Sequence, residues 1–86
     1  MGKYQKLIEI INDAESDANI DFDDLCNLLK KLGFDERIRG SHHIFRKTGI
    51  EDKINLQRDQ SKAKAYQVRQ VRKTIHYYQL KLKDDA

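Results

Sequence analysis

The sequence predicts an α+β fold of order α-α-β-β-β-α, a three-stranded antiparallel sheet covered on one face by helices. Three observations carry that prediction. Apolar residues recur at helical spacing through residues 3–14 and again through 22–32. The period shortens to two between Phe34 and Leu56, and the helical period returns from Tyr66. A chain of 86 residues holds one small domain with a single modest core.

The first helix is expected over KYQKLIEIINDA, residues 3–14, where Tyr4, Leu7, Ile8 and Ile11 share one face. ESDANID then interrupts it. Asp21 is placed to cap the second helix, with Asp23 and Asp24 in its first turn where the helix dipole favours acids. Leu25, Leu28, Leu29 and Leu32 form its apolar stripe, Lys30 and Lys31 sit near its C-terminus, and Gly33 supplies the left-handed stop.

After Gly33, FDERIRG reads as a short strand with Phe34, Glu36 and Ile38 on one face. HHIFRK is the second strand, TGIED a connection, and KINLQ the third strand, with Ile54 and Leu56 on one face. RDQSKAKA is polar and reads as a loop. The last helix carries Val68, Val71, Ile75, Tyr78 and Leu82 on one stripe and Arg69, Arg72, Lys73 and His76 opposite. The KLKDDA tail is expected to fray. The α-β-β-β-α part of this order is that of double-stranded-RNA-binding domains, which is an analogy of fold and not of function.

Composition narrows the partners. Net charge is only +3, but residues 1–36 carry four lysines against nine acids, whereas residues 37–73 carry eleven Lys and Arg against three acids. A basic second half suits a polyanion, although it equally serves as a solvated surface. No apolar run is long enough to span a bilayer, Met1-Gly2-Lys3-Tyr4 opens no signal-peptide pattern, and a lone Cys26 fits a reducing cytosol, so a cytoplasmic location is expected.

The stretch RGSHHIF, residues 39–45, holds the candidate chemistry. Strand alternation splits the two histidines: with Phe45 inward, His43 also points inward, while His42, Ile44 and Arg46 share the open face; with Ile44 inward the roles swap, and the larger Phe45 favours the first register. An exposed imidazole titrates near neutrality, as general acid–base work requires. The plainer reading is a strand-initial histidine bonded to a loop carbonyl. Adjacent strand residues are poor partners for one ion, and Cys26 lies in a leucine-rich helix as a small buried thiol would, so neither a metal nor a cofactor is expected. Gly40 and Ser41 make the turn into the strand, and Ser41 could also donate to a phosphate.

Around them, Arg37, Arg39, Arg46, Lys47, Lys62, Lys64, Arg69, Arg72 and Lys73 form a dispersed cationic set. Arg69, Lys73 and His76 fall on one helical ridge. Tyr66 and Tyr77 offer stacking surfaces, or plain packing. One histidine among phosphate-binding cations is chemically sufficient to cleave RNA, because the substrate supplies its own nucleophile, the 2′-hydroxyl.

LCNLLKKLGF followed by RIRGSHHIF, INLQ and KAYQVRQVRK resembles the HicA-type toxins of toxin–antitoxin pairs, over about residues 22–78. The resemblance implies an mRNA interferase, an endoribonuclease with a double-stranded-RNA-binding-domain-like fold that needs no metal. It implies that His42, directly after Gly-Ser, is catalytic, and that a HicB-type antitoxin covers the site and reaches DNA on the toxin's behalf. Its RNA contacts would come from Arg39, Gly40, Ser41, Arg46, Lys47, Lys62, Lys64, Arg69 and Lys73. Residues 1–20 then read as an N-terminal helical extension, 21–80 as the catalytic domain and 81–86 as a flexible tail. The extension precedes the start of short family members, and KAYQVRQVRK departs from their usual segment after the third strand. The alternatives are a non-catalytic RNA-binding module, a decayed toxin homologue or a protein-interaction domain.

Overall fold

The computed structural model describes residues 2–82. Helix α1, Lys3–Asp13, buries Leu7, Ile8 and Ile11 and ends where Ala14 turns left-handed at φ 63°. A single 3₁₀ turn, Asp17–Asn19, leads to α2, Phe22–Lys31. Asp21 caps α2 as its sequence predicts: its Oδ2 accepts from the Asp24 N–H at 3.0 Å. At the other end, Gly33 has φ +101°, the Gly33 N–H bonds to Lys30 O and the Phe34 N–H to Leu29 O, both at 3.0 Å. This pairing of a left-handed glycine with two reverse bonds satisfies the last carbonyls and turns the chain straight into the sheet.

The sheet has four antiparallel strands in the order β1-β2-β3-β4: Asp35–Arg39, His42–Lys47, Ile50–Asp59 and Lys62–Ala63. Two expectations from the sequence are corrected here. The connection expected at TGIED is only the Thr48–Gly49 turn, and β3 begins at Ile50. Glu51, Asp52 and Lys53 are all exposed, so no apolar alternation marks that first half of the strand. The loop expected at RDQSKAKA instead extends β3 to Asp59 and returns as β4. β4 returns along β3, with Ala63 opposite Arg58 and Lys62 opposite Asp59, and its other side meets backbone distant in sequence: the Phe22 N–H bonds to Ser61 O at 3.0 Å, and the Ala63 N–H to Ile20 O at 2.9 Å. A two-residue strand is too short to carry a periodic signal of its own.

Register settles the faces. Glu36 pairs with Phe45 and Ile38 with His43 on β1–β2, and Phe45 pairs with Ile54 and His43 with Leu56 on β2–β3. Phe45, Ile54 and Leu56 are fully buried against the helices. Ile38 shares that face but is 58% exposed, because β1 is an edge strand at the limit of the helical cover. Helix α3, Ala65–Tyr78, buries Val68, Val71, Thr74 and Ile75. It ends one turn earlier than the stripe predicts, at a left-handed Gln79, and Leu82 packs onto the core from beyond the helix.

Helix α1 completes a single core with α2, α3 and the sheet. The expectation that Arg72 and His76 lie on α3's free side is also corrected. Arg72 Nη1 donates to Asp17 Oδ1 at 2.9 Å and to Ile11 O at 3.1 Å, with Nη2 to Asp17 Oδ2 at 3.3 Å. His76 Nε2–H donates to Asn12 Oδ1 at 2.8 Å. Both side chains are therefore tied to the segment before α2, which covers that flank of α3. The tail expected at 81–86 lies, for residues 83–86, outside the described residues. No helix among the described residues is long and apolar enough to cross a membrane.

Candidate functional site

The β1–β2 turn sets the site. Gly40 takes φ +58° at the first turn position, which a glycine adopts without steric cost and which matches the twist of a two-residue hairpin. The turn pairs Arg39 with His42, and His42 pairs in turn with Gln57 of β3. Because Phe45 is inward, His42 and Ile44 stand on the face away from the helices, as alternation predicts. His42 is exposed, and its Nδ1–H donates to Asn55 Oδ1 at 3.1 Å. Beside it, Gln57 Nε2 donates to Ser41 Oγ at 3.4 Å.

The same face gathers positive charge. Arg37, Arg39, Arg46 and Lys53 line an open depression of about 670 Å³ together with Ile44, Asp35 and Glu36. That volume falls within the ~300–1,000 Å³ typical of ligand-sized sites. His42 is the cross-strand partner of Arg39, at that end of the depression. Among the described residues, none of Arg37, Arg39, Arg46 and Lys53 forms an ion pair. Cations left without an acidic partner on an exposed face are able to take phosphate oxygens.

The cations predicted from the sequence do not all converge there. Arg39 and Arg46 line the depression, Gly40 and Ser41 form the turn beside it, and Lys62, opposite Asp59, lies on the same face at its far edge. Lys47 folds toward α2, its Nζ over Gly33 where a β-carbon would come within 2.5 Å. Lys64 is the N-cap of α3. Arg69 is exposed on α3, and Lys73 shares a groove with Glu51, Asp52 and Tyr77 on the helix side. Lys53, Asn55 and Gln57 were not singled out in the sequence. Their signal was nevertheless present: if Ile54 and Leu56 point inward, these three point outward beside His42.

On the inward face His43 enters a different network. Its Nδ1–H donates to Glu36 Oε2 at 2.8 Å, its ring meets Phe22 edge-on at 4.9 Å, and Lys30 Nζ lies 2.9 Å from Glu36 Oε1. Burial acts to raise the Glu36 pKa, but the bonds from His43 and Lys30 outweigh it and hold the carboxyl below its ordinary value. Cys26 joins the cluster, so that Cys26, Glu36 and His43 offer one metal-ligating atom each within 4.8 Å. This convergence escaped the sequence reading, in which Cys26 stood isolated. Its charge is already balanced, since Lys30 supplies the positive partner of Glu36. The Cys26 thiol is pushed up to about 12, chiefly by burial and then by Glu36, and so is held protonated. The Lys30–Glu36–His43 bonds form a strut between α2, β1 and β2, with Cys26 beside it.

That strut sets a pH dependence. A carboxyl whose folded pKa lies below the unfolded value of 4.5 stabilises the fold above that value and loses the contribution as pH falls through the folded value. Glu36→Gln is therefore expected to lower stability by on the order of 1 kcal/mol near neutral pH. The deficit should shrink as urea midpoints are followed below pH 4.5. A pH-independent deficit would contradict the assignment.

A family sequence pattern described as the HicA toxin of bacterial toxin–antitoxin pairs matches residues 22–77, from the first residue of α2 to the last turn of α3. No curated protein and no solved structure matches the chain.

Proposed function

This chain belongs to the HicA toxin family, and we propose that it is a metal-independent endoribonuclease that cleaves mRNA with His42 as its acid–base group. The observation that carries the reading is an exposed imidazole on a face with four unpaired cations. His42 takes the proton from a ribose 2′-hydroxyl, and the 2′-oxygen attacks the adjacent phosphorus. The bond to the 5′-oxygen breaks and that oxygen takes a proton from solvent water, whose hydroxide is neutralised by the His42 imidazolium, leaving a 2′,3′-cyclic phosphate and a 5′-hydroxyl. Arg39 and Arg46 hold the backbone and offset the charge that builds on the phosphoryl oxygens. Lys62 extends the same track, and Lys47, Lys64, Arg69 and Lys73 contribute at longer range. A toxin of this kind is held in check by its antitoxin, here of the HicB type, covering the His42 face and itself contacting DNA.

Single-stranded RNA incubated with the protein in EDTA is expected to yield discrete shorter products. The charge reversal Arg46→Glu should weaken RNA binding and lower its log–log salt slope by about one or more. A salt-sensitive gel shift without products would identify a binding module and overturn the enzymatic reading.

A further inference from the structure

We infer that Asn55 is the positioning residue of His42, holding the ring as the Nδ1–H tautomer so that Nε2 faces outward with a free lone pair. The inference rests on the acid–base role proposed for His42, but it makes a statement about the ring that stands by itself. Asn55 Oδ1 lies 3.1 Å from His42 Nδ1, across the β2–β3 ladder and diagonal to the His42–Gln57 pair. An amide oxygen only accepts, so the proton between them belongs to the imidazole. Nε2 has no partner among the described residues. A ring held in this way is a base from the outset. The opposite amide orientation, with Nδ2 donating to Nδ1, would leave an Nε2–H outward and make the ring a hydrogen-bond donor.

Asn55 differs from a carboxylate in the same place. It fixes the ring without adding negative charge, so it orients the base but does not itself stabilise the imidazolium. The other groups facing His42 are Arg39 of β1, with Arg37 beyond it, Gln57 and Asp59 of β3, and Lys62 opposite Asp59. They carry three positive charges and one negative. Asn55 is exposed and Ile54 and Leu56 supply the packing of that stretch, so its replacement leaves the core intact.

The test is side-chain ¹⁵N NMR of the full chain with labelled histidine, together with RNA-cleavage kinetics. The wild type is expected to show Nδ1 protonated and Nε2 bare in the neutral ring, and Asn55→Ala to shift His42 toward the Nε2–H form. Asn55→Ala should lower kcat about 10- to 100-fold with little change in KM, as loss of an orienting partner does. Asn55→Asp should recover much of that loss while moving the acidic limb of the pH–rate profile upward by about one unit, because the new carboxylate favours the imidazolium. A wild-type ring protonated on Nε2, or a tautomer unchanged in Asn55→Ala, overturns the inference. If no RNA is cleaved by the wild type, the function proposed for His42 fails, and the NMR result still decides whether Asn55 holds the ring.

Discussion

His42→Ala is expected to reduce RNA cleavage by about 10²- to 10⁴-fold, the range that a positioned acid–base group supplies. The same variant should change stability by no more than about 0.5 kcal/mol, because His42 is exposed and its one side-chain bond among the described residues is to an exposed Asn55. The separation is the point of the experiment. His43, one residue on, sits between Glu36 and Phe22 on the inward face, so its replacement should act through the fold. A folded His42→Ala protein that retains its cleavage rate would remove the proposed mechanism. Circular dichroism and a urea midpoint establish that the variant is folded, and a digest measures the rest.

The second large effect is expected outside the family-matched span. Ile11 of α1 has no exposed surface, and its carbonyl accepts from Arg72 of α3. Ile11→Ala should cost about 2–5 kcal/mol by urea denaturation, from lost burial and the cavity left behind. That is a large part of the roughly 5–15 kcal/mol by which small domains are stable. It follows that α1 is part of the core, and that chain lacking it would leave α3's flank and the Arg72 guanidinium uncovered. A loss below about 1 kcal/mol would mean that α1 rests on the surface of a domain complete without it.

These two expectations differ in how far they could be read from the sequence. Helix α2 was legible in full, because Asp21, the leucine stripe and Gly33 each act locally and agree. The split of His42 from His43 was legible too, since the burial of Phe45 decides the faces of its whole strand. What was not legible depends on partners distant in the chain. Arg72 and His76 looked free on a polar helix side, yet their partners Asp17 and Asn12 lie more than fifty residues earlier. Strand β4 pairs with β3 at only two positions, and the backbone on its other side comes from Ile20 and Phe22, some forty residues earlier. The Lys30–Glu36–His43 strut, with Cys26 beside it, unites three elements whose residues show no ligand spacing in sequence. Asn55 belongs to an intermediate case: alternation placed it on the open face, but only the pairing of β2 with β3 brought it to the histidine.

The dispersal of the predicted cations also sharpens the site. Nine basic residues looked equivalent in the sequence, and the sheet register ranks them. Arg37, Arg39 and Arg46 share the depression beside His42, whereas Lys47 is drawn to α2 and Lys73 to an acidic groove on the helix side. Charge reversal at Arg46 should therefore weaken RNA binding more than charge reversal at Lys73.

The most direct measurement reads the ends of the RNA products made in EDTA by the wild-type chain. Attack by the substrate's own 2′-hydroxyl with His42 as base predicts 2′,3′-cyclic phosphate and 5′-hydroxyl ends, and no cleavage of a DNA of the same sequence. Products with 3′-hydroxyl and 5′-phosphate ends, or cleavage of the DNA, would contradict it.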